Sequence, residues 1–95
     1  MDKQSCKVIR REYRFIGDVQ NVGFRYRAKY AANGCGVTGF VRNEWDGSVV
    51  MEAQGTEVQI HNVLKMINTG MYIHIDRMVW KELPLVEEER GFHVR

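Results

Sequence analysis

The spacing of apolar residues along this chain changes four times between about two residues and about 3.6 residues, and the order of these changes restricts the fold to few topologies. Residues 6–17 ("CKVIRREYRFIG") alternate imperfectly between apolar and charged side chains. This alternation predicts a first strand with Tyr13 and Phe15 on its inner face. From Phe24 the apolar residues recur at i, i+4, i+7 and i+8, which predicts a helix that ends at the Asn-Gly pair 33–34.

A hairpin and a second helix follow. Two strand-like runs, 36–43 and 47–55, flank the tetrapeptide "EWDG", whose Asp-Gly pair is a hairpin signal. Thr56 then begins a second helix, and Gln59 three residues later completes a capping-box pattern. This helix should end near residues 68–70. Its apolar positions, spaced i, i+3, i+4 and i+7, are Ile60, Val63, Leu64 and Ile67.

The remaining elements complete an α+β fold. A fourth strand is predicted at 75–83, a solvated acidic turn at 87–90 and a short final strand at 91–95. The order β-α-β-β-α-β plus a terminal strand is that of the ferredoxin-like split βαβ fold, in which two helices cover one face of a mainly antiparallel sheet. A right-handed crossover brings the ends of strands one and two to one rim, roughly 10 Å apart. We therefore expect residues 17–25 and Asn43 to lie together there.

The composition indicates one ordinary globular domain over residues 1–95. Hydrophobic residues make up 44% of the chain, enough for a core, and the net charge is only +2. Because the basic residues are interleaved with acidic ones, a nucleic-acid partner is not expected. The amino terminus lacks the apolar segment of a secretory signal, and no apolar run is long enough to span a bilayer. We expect a cytoplasmic monomer without a membrane partner.

The cysteines and histidines do not form a metal-binding pattern. Cys6 and Cys35 are too few and too far apart for a metal knuckle or a disulfide framework. We expect Cys6 to lie in a mobile, exposed segment and Cys35 to be a small buried residue just after the first helix. Among the three histidines, only His74 has a carboxylate at strand spacing, Asp76, and a turn explains that pair better than a ligand set. No metal or other cofactor is expected.

The loop between the first strand and the first helix, "VQNVGFR" (19–25), has the features of an anion cradle. The start of a helix presents unpaired amides and a partial positive charge. Here the donors would be the amides of about Asn21 to Arg25, and Gly23 would allow close approach of the backbone. The Arg25 guanidinium can hold two phosphoryl oxygens at once. Taken alone, such a segment is more often a plain connection that carries an exposed arginine.

Asn43, at the end of "GFVRN", is open to two interpretations. Asparagine favours turns through local hydrogen bonds, so it can simply begin the hairpin. At the rim shared with the loop, its amide could also hold a water molecule against a bound phosphoryl group. The two roles are compatible, because a turn can place a functional side chain.

Two segments of the chain resemble the acylphosphatase family. "GDVQNVGFR" is similar to the family motif G-x-V-Q-G-V-x-F-R, and "GFVRNEWDGSVVMEAQG" (39–55) is similar to its second motif, G-F-V-x-N-x-x-x-G-x-V. The resemblance covers nearly the whole domain, including the ending "GFHVR". It implies a ferredoxin-like fold and hydrolysis of small-molecule acylphosphates to a carboxylate and inorganic phosphate.

The resemblance also implies roles for individual residues. Arg25 matches the phosphate-binding arginine of the family, and Asn43 matches the asparagine that orients the attacking water. The residues that match the phosphate loop are Gln20, Asn21, Val22, Gly23 and Phe24. Asn21 departs from the family pattern, which has glycine there. If this position needs a positive φ, asparagine is the least costly replacement among residues with a side chain.

The residues present are chemically sufficient for such a reaction. A carboxylate leaving group has a conjugate-acid pKa of about 4, so it departs as an anion without a general acid. Arg25 and the loop amides can stabilise charge on the phosphoryl oxygens. Asn43 can accept a hydrogen bond from water, but a neutral amide is no base. We therefore expect the bound phosphoryl oxygens to take the proton of the water.

Other functions are compatible with the same element order. An RNA-binding module would need base-stacking aromatics on its central strands, but the third strand, "SVVMEAQG", has none. A regulatory domain that binds an anion without turnover is the closer alternative. Trp45 in the hairpin turn is expected to be exposed, and it could flank the acyl group of a substrate.

Overall fold

The chain folds in the predicted order of elements, as a sheet of five strands with two helices. The computed structural model describes residues 7–95, so Cys6 lies outside the described part. The strands are β1 Val8–Asp18, β2 Thr38–Asn43, β3 Val49–Thr56, β4 His74–Leu83 and β5 Phe92–Val94. The helices are α1 Phe24–Cys35 and α2 Glu57–Asn68. The α+β split βαβ prediction is confirmed.

The strand order is β4-β1-β3-β2-β5. Strands β1 and β2 each pair with β3 in antiparallel orientation, so they run in the same direction on either side of it. β4 is antiparallel to β1, whereas the short β5 is parallel to β2. Phe15 and Asn43 both lie opposite Val49. The carboxyl ends of β1 and β2 therefore reach the same rim of the sheet, as the sequence predicts.

The helices cover one face of the sheet and enclose the core. Tyr13 and Phe15 point into this core and are almost fully buried, as predicted. They consequently cannot form the base-stacking surface that an RNA-binding module requires. The other large, fully buried side chains are Phe24, Phe92, Met51, Ile60, Ile67, Val19, Val37, Val41, Val49 and Val50.

The ends of the two helices show how far local sequence signals determine structure. The capping box at Thr56 and Gln59 is present, with both reciprocal hydrogen bonds formed. The predicted end of α1 at residues 33–34 is wrong, because the helix continues through Cys35. Gly36 adopts the left-handed conformation (φ 77°) that ends it. Cys35 is therefore the last residue of α1, and it is half-buried against the core.

The link from β4 to β5 joins opposite edges of the sheet and crosses the face that the helices leave open. The guanidinium of Arg10 on β1 holds this link by two hydrogen bonds to the Glu89 carboxylate, at 2.7 and 3.1 Å. Arg10 also forms an ion pair with Glu52. The side chain of Gln54 exchanges two hydrogen bonds with the backbone of Val86. The acidic run forms a turn at residues 87–88, but Glu89 is not solvated as predicted, because Arg10 holds it against the sheet.

Candidate active site

The loop that leaves β1 is shaped by backbone conformations that favour small or flexible residues. β1 shifts register against β4 between Ile16 and Gly17, and the pairing then continues to Asp18 opposite His74. A Cβ atom at Gly17 would collide with the carbonyl of His74, so only glycine permits this close approach. Asn21 (φ 60°) and Gly23 (φ 80°) then adopt left-handed conformations. These two reversals turn the chain from the end of β1 into the start of α1.

The turn leaves a row of backbone amides that have no backbone acceptor within residues 7–95. Gly23 is the N-cap of α1, and none of the side chains from residue 7 onward caps the helix. The first backbone bond into the helix runs from the Arg27 amide to the Gly23 carbonyl, at 3.0 Å. Among residues 7–95, the amides of residues 21–26 donate to no backbone carbonyl. Unpaired amides at a helix start, next to left-handed backbone, form a concavity suited to an anion.

Arg25 projects from the first turn of α1 and is half-buried. One of its guanidinium nitrogens, Nη1, lies 3.4 Å from the carbonyl oxygen of Arg95, a long contact that leaves the other donors available. Arg95 is itself fixed, because its amide donates to the Val41 carbonyl at 2.8 Å. Arg25 is thereby linked to β2, two residues before Asn43.

The hairpin that follows Asn43 is tied directly to the loop. The side-chain amide of Gln20 donates to the carbonyl oxygens of Glu44 at 2.7 Å and Ser48 at 2.9 Å. The hairpin itself is closed by a bond from the Glu44 amide to the Ser48 carbonyl, at 2.9 Å. Gln20 therefore holds both ends of the hairpin loop (residues 44–48) next to the turn of residues 20–23. Asn43, at the end of β2, is the residue directly before this junction.

The tip of the hairpin loop has its own internal restraint. Asp46 Oδ1 accepts hydrogen bonds from the amide and the hydroxyl of Ser48, at 2.9 and 2.6 Å. These bonds hold the pKa of the Asp46 carboxyl below its ordinary value. Ser48 is buried and also accepts a bond from the Arg14 guanidinium at 2.9 Å. The hairpin loop is thus anchored at its ends and at its tip.

The predicted site residues differ in what they present to solvent. Phe24 is only 2% exposed, and its ring packs 4.9 Å from that of Phe15, so only its amide faces the loop. Val22 is half-buried against the core. Asn21 and Gly23 are exposed, while Gln20 uses its side-chain donors inside the protein. Among the predicted residues, the side chains of Asn21, Arg25 and Asn43 remain exposed or half-exposed.

Two features of the site were not predicted from the sequence. The contact of Arg25 with the Arg95 carbonyl depends on the pairing of β5 with β2, which no local pattern reveals. The bridge from Gln20 to the hairpin loop likewise joins residues more than twenty positions apart. The bonds between Asp46 and Ser48 do have a local signal, since Asp-x-Ser is typical of an Asx-turn.

No group of three or more histidine, cysteine, aspartate or glutamate side chains is placed to hold a metal ion in the part of the chain from residue 7 onward. None of the helices in that part is long and apolar enough to cross a membrane. The amide row and Arg25 place hydrogen-bond donors and one positive side chain at this rim. Such a site can bind an oxyanion and stabilise negative charge that develops on it.

The acylphosphatase family model matches residues 11–94 of this chain. An acylphosphatase of Bifidobacterium longum is 35% identical over 95 residues, an alignment that covers 98% of each chain. The crystal structure of acylphosphatase from Bacillus subtilis superimposes with a TM-score of 0.84 at 24% identity, over 94% of this chain and 99% of the other. The structure of an acylphosphatase from Coxiella burnetii gives a TM-score of 0.81 at 27% identity, over 93% of each chain.

Proposed function

The chain belongs to the acylphosphatase family, and from that premise we propose how its rim hydrolyses the carboxyl–phosphate bond of an acylphosphate. The products are a carboxylate and inorganic phosphate. The observation that carries the proposal is the row of amides over residues 21–26, which donate to no backbone carbonyl in the described part of the chain. Arg25 lies in the same turn, and Asn43 lies across a junction that Gln20 closes.

The loop amides and Arg25 bind the phosphoryl group. Amides at a helix start and a guanidinium together supply several donors to the phosphoryl oxygens. In phosphoryl transfer, catalysis comes mainly from positioning and from stabilising charge on the equatorial oxygens. Because the donors are held by the fold before substrate arrives, they need little reorganisation during the reaction.

Asn43 orients the attacking water. Its side-chain oxygen accepts a hydrogen bond from water, while the backbone of β2 and the junction with Gln20 fix its position. The water attacks phosphorus, the bond between phosphorus and the acyl oxygen breaks, and the electron pair leaves with the carboxylate. A phosphoryl oxygen takes the proton of the water, since the amide of Asn43 is no base.

The departing group explains why the site needs no general acid. A carboxylate with a conjugate-acid pKa of about 4 leaves as a stable anion at neutral pH. The side chains to which this mechanism assigns a role, those of Arg25 and Asn43, are neither carboxylic acids nor imidazoles. The chemistry therefore suits acylphosphates much better than phosphate esters of alcohols, whose leaving groups must be protonated.

The test is benzoyl phosphate hydrolysis in the presence of EDTA, with the wild type, Arg25→Ala and Asn43→Ala compared. We expect each variant to lose at least about 10²-fold in kcat/KM, the range seen when one transition-state contact is removed. Arg27→Ala and Asn68→Ala are the matched controls. Arg27 lies in the same helix but donates to the end of α2, and Asn68 is exposed at that end. Both controls should keep full activity.

Competitive inhibition by inorganic phosphate separates the role of Arg25 in phosphate binding from the role of Asn43 in orienting water. Arg25→Ala should weaken the inhibition, because it removes a phosphate ligand, whereas Asn43→Ala should leave it nearly unchanged. A folded wild type that binds phosphate but does not turn over benzoyl phosphate would overturn the proposal in favour of an anion-binding regulatory domain.

A further inference from the structure

Trp45 is the most exposed large apolar side chain in the described residues. It is 97% exposed, so it contacts almost nothing in its own chain. A tryptophan buries a large apolar area when it meets a partner, and it gains further from aromatic stacking. A fully exposed indole is therefore a feature of the surface that a ligand can use.

The position of Trp45 is fixed although its side chain is free. The residue follows Glu44, whose carbonyl is held by Gln20 at 2.7 Å, and precedes Asp46, which is bonded to Ser48. Gln20 is the first residue of the predicted phosphate loop. The backbone of Trp45 is thus anchored beside the proposed phosphate site, and only Glu44 separates it from Asn43.

We propose that Trp45 is a specificity-determining residue that stacks on the acyl group of the substrate and favours aromatic acylphosphates over small aliphatic ones. This inference rests on the proposed function. The loop amides and Arg25 contact only the phosphoryl end, so they do not distinguish one acyl group from another. The indole is the large apolar surface that the anchored hairpin loop offers beyond the phosphoryl end, and a benzoyl ring can stack on it. An acetyl group has no ring to contribute.

The kinetic test compares benzoyl phosphate with acetyl phosphate. In Trp45→Ala, kcat/KM for benzoyl phosphate should fall about three- to tenfold, the worth of one aromatic pair. The value for acetyl phosphate should change less than about twofold, and Trp45→Phe should restore most of the preference. Trp80→Ala is the matched control, because Trp80 is exposed on β4, where the Arg11 guanidinium stacks on its ring. It should not alter the ratio of the two substrates.

A binding experiment provides a readout without turnover. The chain has two tryptophans, so Trp80→Phe leaves Trp45 as the only indole. Benzylphosphonate should change the fluorescence of this protein with a midpoint equal to its inhibition constant. Methylphosphonate should inhibit with little change in fluorescence.

The outcomes separate this inference from the proposed function. Suppose that the wild type hydrolyses both substrates. If Trp45→Ala then lowers kcat/KM equally for the two substrates, or leaves both values unchanged, the inference is wrong and the proposed function stands. An equal loss would mean that Trp45 acts on the phosphoryl end. If the wild type hydrolyses neither substrate, the proposed function fails and the inference fails with it.

Discussion

Asn21 adopts a left-handed backbone conformation that strains most residues with a side chain. The family motif has glycine at this position, and the sequence alone indicated that asparagine would be tolerated if a positive φ were needed. The structure shows that positive φ, at 60°. Asparagine in place of the motif glycine thus preserves the geometry of the loop. The cost in conformational free energy is modest, because asparagine is among the residues best suited to the left-handed region.

We predict that Asn21→Gly keeps or raises kcat for benzoyl phosphate, since glycine adopts the same conformation without strain. Its free energy of unfolding should stay within about 1 kcal/mol of the wild type, because relieved strain and added flexibility of the unfolded chain oppose each other. Steady-state kinetics and urea denaturation measure the two effects.

Glu88→Gly is the matched control, because Glu88 has the same φ of 60° in a turn that does not belong to the site. It should change stability by a similar small amount and leave kcat unaltered. A large loss of kcat in Asn21→Gly alone would show instead that the Asn21 side chain takes part in catalysis.

At the scale of elements, the site depends on the contact between two loops that belong to different strand ends. The register of β1, β3 and β2 brings the loop after β1 and the hairpin after β2 to one rim. Gln20 then joins them through two carbonyl oxygens. The loop with the anion donors and the strand end with Asn43 are consequently held as one unit.

We predict that Gln20→Ala lowers both stability and activity. Two hydrogen bonds at a half-buried position correspond to a loss of about 1–3 kcal/mol in the free energy of unfolding. The hairpin loop would no longer be fastened to the phosphate loop, so kcat/KM for benzoyl phosphate should fall about tenfold, as misplacement of catalytic groups predicts. Chemical denaturation and steady-state kinetics on one preparation measure both quantities.

Gln54→Ala provides the comparison, since Gln54 also exchanges two bonds with backbone, at Val86 on the open face of the sheet. It should lose stability without losing activity. Equal activity losses in the two variants would mean that Gln20 acts through general destabilisation and not through the junction.

The elements themselves were largely predictable because their signals are local. The capping box at Thr56 and the alternation around Tyr13 depend on neighbours in sequence, and both are confirmed. The end of α1 was not predictable. Asn33, which looked like a stop signal, instead lies in the helix and accepts a bond from the Phe92 amide of β5. Such a contact depends on the tertiary fold, as do the bridge from Gln20 and the contact of Arg25 with Arg95.

At the scale of the whole molecule, the link between β4 and β5 crosses the open face of the sheet and is held there by Arg10. Arg10 is 3% exposed there, and the side chain of Glu89 is 13% exposed. Burial alone would raise the pKa of Glu89, but hydrogen bonds from Arg10 and Thr38 and the Arg10 charge hold it below its ordinary value of 4.5. The link also leads into β5, whose position beside β2 places the Arg95 carbonyl near Arg25.

The lowered pKa of Glu89 predicts a pH-dependent contribution to stability. Because the folded protein holds the carboxylate form more strongly than the unfolded chain does, the contribution is complete above pH 4.5 and is lost as the pH falls through the folded pKa. Glu89→Gln should therefore cost about 1.5–3 kcal/mol at pH 7, the worth of a hydrogen bond to a charged group. The difference from the wild type should shrink below pH 4.5.

Urea denaturation between pH 3 and pH 7 measures this effect, with Glu87→Gln as control. Glu87 is exposed in the same link, and none of the ion pairs within residues 7–95 includes it. Its variant should follow the wild-type curve at every pH. A constant difference between wild type and Glu89→Gln down to pH 3 would refute the role of the ionised pair.

The central claim is that water attacks the phosphorus atom of the acylphosphate. Its most direct test follows oxygen-18 from the solvent into the two products. Benzoyl phosphate should be hydrolysed by the wild type in water enriched in oxygen-18, with both products analysed by mass spectrometry. Attack of an ordered water on phosphorus predicts that one labelled oxygen appears in inorganic phosphate and none in benzoate. Label in the benzoate would show attack on the acyl carbon, and it would contradict a site built around the phosphoryl group.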